Sequence, residues 1–145
     1  MGDKLPRRST LSGVETIRTR VPATTIAQEQ DTPVYENNSL VRENVVAVRI
    51  IPQAAMTGDD TDHATIGLVN KELAGAGTVQ AAPQKVYDTG TDLVAFDADT
   101  LPVATAAADV NIEKGEVLAL SIKKVASGLV TPDLVVEVDV EKAGL

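Results

Sequence analysis

The stretch PDLVVEVDVE, residues 132–141, sets Leu134, Val136, Val138 and Val140 in alternation with Val135, Glu137, Asp139 and Glu141. A period of two marks a strand with one buried face, because successive side chains of extended backbone point to opposite sides. The preceding stretch EVLALSIKK, residues 116–124, repeats the pattern with Leu118, Leu120 and Ile122 on one face. Glu113-Lys-Gly115 ahead of it is a tight-turn signal with glycine placed for positive φ, and Ser127-Gly128 turns the chain between the two stretches. Apolar residues inward and mostly acidic residues outward describe an antiparallel sheet with one solvated face.

Working outward, VVAVRII (45–51) is a β-branched run stopped by Pro52, and ATIGLVN (64–70) follows a polar loop at 56–63. Gly75 and Gly77 interrupt the chain before a strand through Thr78–Ala82, which Pro83 confines to a sheet edge or a bulge. QKVYD (84–88) leads through Thr89-Gly-Thr91 to the short apolar segment LVAF (93–96). Residues 97–101 read as irregular, and 103–112 as an Ala-rich stretch ending at a turn. Only Asn70–Ala74 collects helix formers, enough for one turn. Seven or eight short strands separated by turn signals predict an all-β fold, an antiparallel β-sandwich or jelly roll, over residues 43–145.

The 145 residues suffice for one domain. Of the apolar residues, 20 are Val and 19 Ala, against only Tyr35, Tyr87 and Phe96 as aromatics. Such a core is thin, which favours added stabilisation by partners. The net charge of −8 argues against a nucleic-acid binder, and no apolar run is long enough to span a membrane. The N-terminal MGDKLPRRST lacks the apolar centre of a signal peptide, and Pro6 stands where a myristoylation signal wants a hydroxyl residue.

Residues 1–42 differ from the rest. They carry Pro6, Pro22 and Pro33, many Ser and Thr, and only scattered apolar residues, with short alternations that suggest extended structure. Within residues 1–22, Lys4, Arg7, Arg8, Arg18 and Arg20 stand against Asp3 and Glu15, a net +3 that leaves −11 on the remainder. The expectation is an extended N-terminal arm, residues 1–42, on an acidic body, with Arg7, Arg8, Val14, Ile17, Arg18, Arg20, Val21, Ile26 and Tyr35 as its partner-binding residues.

Catalytic chemistry finds little support. With no cysteine and a single histidine, His63, thiolate and multi-histidine metal sites are excluded. Asp59-Asp-Thr-Asp-His63 lacks the spacing of a calcium loop and reads as a solvated turn, and no Gly-x-Ser-x-Gly nucleophile motif accompanies His63. Gly75-Ala-Gly77 lacks the third glycine and following helix of a dinucleotide site. Asp97, Asp99 and Asp109 could be imagined as a glycosidase pair, with only Phe96 nearby to stack a sugar. The Ala-Gly-x-Ile-Asp-type loop of dUTPase-like jelly rolls has no counterpart. The expectation is a protein that is not an enzyme, with no catalytic residues, no metal and no cofactor.

The succession ATIGLVN (64–70), TGTDLVAFD (89–97), IEKGEVL (112–118) and GLVTPD (128–133) before a β-branched strand resembles small β-sandwich decoration, or cement, proteins of tailed-bacteriophage heads. The resemblance covers roughly residues 60–140 and rests on turn placement and pattern. It implies a virion protein on the outer capsid surface that binds the major capsid protein and clamps neighbouring subunits. A homotrimer is the self-association expected, with no nucleic-acid or membrane partner. The alternative is a host-surface or glycan-binding module that works through the loops at 57–63 and 88–92.

Overall fold

The structure, a computed structural model, describes residues 13–25 and 27–143. Among these residues nine strands form: β1 (Val14–Val21), β2 (Gln30–Glu36), β3 (Glu43–Pro52), β4 (His63–Asn70), β5 (Val79–Tyr87), β6 (Asp99–Leu101), β7 (Asn111–Ile112), β8 (Val117–Val125) and β9 (Leu134–Lys142). One sheet runs β1-β9-β3-β6, with the two-residue β7 also pairing β3, and the other runs β2-β8-β4-β5. All pairings are antiparallel. Every connection crosses between the two sheets except β4 to β5, which stays in one, and β6 to β7, which stays in the other, the winding of a jelly roll.

The alternation in residues 134–141 puts Leu134, Val136, Val138 and Val140 into the core, each at most 1% exposed. They meet Val48 and Ile50 of β3 within their own sheet, and Ile66, Leu68, Leu118, Leu120 and Ile122 complete the core from the other. Tyr87 is the one fully buried aromatic; its hydroxyl donates to Asp99 at 2.6 Å, and burial followed by that carboxylate pushes its pKa up.

The expected boundary at residue 42/43 does not divide the structure. β1 lies along β9 through eight register pairs, and β2 lies along β8. Val21 is 0% exposed and Val34 6%, both inside the one hydrophobic core. The sandwich therefore begins at β1. Edge strands bury one face only, so Thr and charged residues can fill the other and hide the strand in a polar composition.

Two smaller readings also change. Leu93 forms only an isolated bridge with Met56, while Asp99–Leu101, read as irregular, pairs with β3. The helical turn lies at Ala107–Val110 as a 3-10 helix, and the stretch after Asn70 is a plain turn. β5 runs through Pro83 as an edge strand whose register shifts between Ile66 and Leu68 of β4, so the proline meets both conditions set for it.

Candidate interaction surface

The residues assigned to a partner-binding arm have partners within the chain. On the outer face of β1, the Arg18 guanidinium donates to Glu137, which also accepts from Arg49 Nε at 3.0 Å. Arg49 forks onto both oxygens of Asp139 at 3.1 Å, and Thr16 Oγ1 donates to the same carboxylate at 2.6 Å. Hydrogen bonds from Arg18 and Arg49 hold Glu137 below the usual carboxylate range; for Asp139, burial raises the pKa but Arg49 and Thr16 bring it lower. Arg20 pairs with Asp133 at 2.9 Å. Ile17 and Tyr35 pack against the core, and the Tyr35 hydroxyl donates to the buried Glu43. Val14 is half-buried opposite Glu141. Arg7, Arg8 and Ile26 lie outside the described residues. The arginines were legible as basic residues, but their carboxylate partners stand more than 110 positions away in the chain.

A different surface forms at the end of the sandwich where Val21 and Pro52 both meet Leu134. The four loops that gather there, residues 22–29, 53–62, 88–98 and 126–133, contain Glu29, Asp59, Asp60, Asp62, Asp88, Asp92, Asp97 and Asp133 and not one Lys or Arg. Several of these carboxylates tie the loops together by accepting backbone N–H bonds. Asp60 takes Thr89 N at 2.9 Å, Asp62 takes Ser127 N at 2.9 Å, Asp92 takes Gly58 N at 2.8 Å, and Asp133 takes Ala23 N at 2.6 Å. Asp59 accepts from Thr61 and Asp62, and these bonds lower its pKa. Among the described residues, Asp133 alone of the eight has an ion-pair partner. His63 opens β4 half-buried beside this loop, and no group of three or more His, Asp or Glu is arranged to hold a metal among the described residues.

At the same end, the outer face of the β1-β9-β3 sheet holds an apolar groove of about 270 Å³. Ile51, Pro52, Phe96, Leu134 and Val135 line it, together with Gln53 and the ion-paired Arg20 and Asp133. Phe96 is 77% exposed and sits at φ 62°, a left-handed backbone that costs a bulky residue roughly 1–2 kcal/mol. Its N–H donates to Pro52 O at 2.8 Å, which fixes the loop against the end of β3. Reading residue by residue missed this groove, because Phe96 stood only as the end of the short apolar segment 93–96, with no strand yet placed beside it. The signal was present in its setting: one of three aromatics, in a loop bounded by Asp92 and Asp97.

The opposite sheet carries a polar recess of about 240 Å³ on its outer face. Its floor includes Val69 and Ser121, both buried, and Lys71 pairs across it with Asp31 at 3.0 Å. Gln84 folds over β4, accepting from Thr65 Oγ1 at 2.9 Å, and its Nε2 is buried without a hydrogen-bond partner. Gly67 makes room for it, since a Cβ there would lie 2.7 Å from both Gln84 Nε2 and the Ala82 carbonyl.

No protein-family model and no curated protein matches the chain. Among solved structures, the structure of infectious bursal disease virus, Gx strain, is similar with a TM-score of 0.47 and 8% identity, over 90% of this chain and 33% of that one. The chain spans about a third of the length of the structure it matches.

Proposed function

We propose that this protein is a structural component of a virus particle, a decoration protein that binds the outer surface of a capsid and clamps neighbouring capsid subunits. The observation that carries the reading is the jelly-roll winding of the two sheets, an architecture used by viral capsid and lectin domains. The sequence resemblance to phage decoration proteins supports the first of those uses. The N-terminal residues, with Lys4, Arg7 and Arg8, enter the fold through an edge strand, so they are tethered where they can reach a neighbouring subunit. Such a contact is modest for one copy and gains avidity when repeated over a shell. Its role is binding rather than catalysis, and copies of the protein also meet one another, a homotrimer being the expected form.

The second reading, a glycan- or host-surface-binding module, is favoured by the polar recess around Asp31, Lys71 and Gln84. A mass-spectrometric inventory of purified particles, with surface labelling, separates the two. Copy numbers matching the capsid subunit, exposed to an antibody on intact heads, support decoration. A few copies per particle favour the receptor-binding reading, and absence from the particle refutes both.

A further inference from the structure

We infer that the apolar groove at the acidic end receives the N-terminal segment of a second copy, so that copies associate head to tail. This deepens the self-association in the reading above but needs no capsid. The groove offers Ile51, Val135 and the outward-held Phe96 beside loops that carry eight carboxylates and no cation; Arg20, the one cation in its lining, is neutralised by Asp133. Residues 1–12 are the complementary ligand: Leu5, Pro6 and Leu11 supply apolar groups, and Lys4, Arg7 and Arg8 outweigh Asp3.

The position of the segment argues for a second copy. It joins the sandwich at Gly13, beside the start of β1, which pairs with the far end of β9 and so lies at the end opposite the groove. Doubling back along β1 to its own groove would take about 26 Å, whereas Arg8 and Arg7, five and six residues from Gly13, place their backbone at most roughly 17–20 Å away. Arg7 and Arg8 would fall short of the carboxylates and lie along the strand that carries Arg18 and Arg20, each with a side chain 68% exposed. A copy stacked end to end brings all three cations to the acidic loops. The interface is heterologous, with different surfaces on each side, and it closes into a ring, a trimer included, if the rotation between copies allows.

The test uses full-length chains in sedimentation equilibrium without particles. One variant, Lys4→Glu with Arg7→Glu and Arg8→Glu, keeps the groove and loses the ligand. The other, Phe96→Asp with Val135→Glu, keeps the ligand and loses the groove; both its positions are solvent-facing, and circular dichroism checks that each variant is folded. The wild type should associate with rising concentration and dissociate at about 0.5 M salt, where screening is nearly complete over a few ångströms. Each variant alone should associate at least about tenfold more weakly, a loss of about 1.4 kcal/mol. Their mixture should form a one-to-one pair, because one functional groove and one functional segment remain between them. A monomeric wild type, association that survives in both variants, or a mixture that does not pair overturns the inference. None of these outcomes bears on capsid binding, which particle sedimentation reads separately.

Discussion

Glu137 shows how one side chain sets the chemistry of a whole sheet face. The residue is 8% exposed on a face directed away from the core, because Arg18 and Arg49 close over it from the two neighbouring strands. Glu137→Ala should cost about 1–2 kcal/mol in urea unfolding, the range of charge-assisted bonds near a surface. Glu137, Asp139, Asp133 and Asp59 all sit below the usual carboxylate range. The folded state therefore binds their protons more weakly than the unfolded chain. Their stabilisation is complete above the unfolded pKa of about 4 and is lost as pH falls through the lower folded values. The melting temperature should hold steady from about pH 7 to about pH 5 and drop below about pH 4, with a shallower drop in Glu137→Ala. A melting temperature that rises on acidification would contradict this account. Gly58 is fixed by a different constraint: a Cβ there would stand 1.9 Å from the Asp88 carbonyl and 2.6 Å from that of Thr91. Gly58→Ala should destabilise by about 3 kcal/mol, since two loop backbones must separate to admit a methyl group. An unchanged urea midpoint would show that the loops part freely.

At the scale of strands, legibility followed burial. β9 was readable because apolar residues alternate along its buried face, β8 because Leu118, Leu120 and Ile122 mark one face of a strand buried on both sides from 118 to 122, and β3 because β-branched residues fill it up to Pro52. β1 and β2 were taken for an arm because their inward residues include Thr19, Thr32 and the half-buried Tyr35, which carry no apolar period. β6 escaped notice for a similar reason: only Leu101 of its three residues is buried. The acidic end was visible as composition but had no location until the four loops were known to share one end of the sandwich. The status of β1 can be measured at Val21, assigned to a partner contact on sequence grounds and 0% exposed in the fold. Val21→Ala should cost about 2 kcal/mol, the transfer of two methyl groups plus a partly relaxed cavity. A contact residue on a free arm would leave the unfolding midpoint where it was, and that result would detach β1 from the sandwich.

For the molecule as a whole, removal of residues 1–42 puts the arm and the sandwich descriptions into direct conflict. An arm can be cut away and leave a folded body. Here the cut removes one edge strand from each sheet, and β9 and β8 lose their pairing partners along eight and six register positions. It also takes Val21 and Val34 from the core, Asn37, whose side-chain amide donates to Ile112 O at 2.8 Å, and Thr24, whose hydroxyl accepts from Thr131 N at 3.0 Å. Inward rows on β8 and β9 would face water along a new edge, leaving unpaired backbone beside apolar side chains, a template for aggregation. The core has little to spare, since Val and Ala make up half of its buried hydrophobic residues and Tyr87 is its only fully buried aromatic. A domain of ordinary stability, about 5–15 kcal/mol, cannot lose two strands and remain cooperative. The truncated chain should show no cooperative thermal transition by circular dichroism, collapsed amide dispersion in proton NMR, and a strong tendency to precipitate. A sharp melt within a few degrees of the full-length protein would show instead that residues 43–145 fold alone and that β1 and β2 only dock onto them.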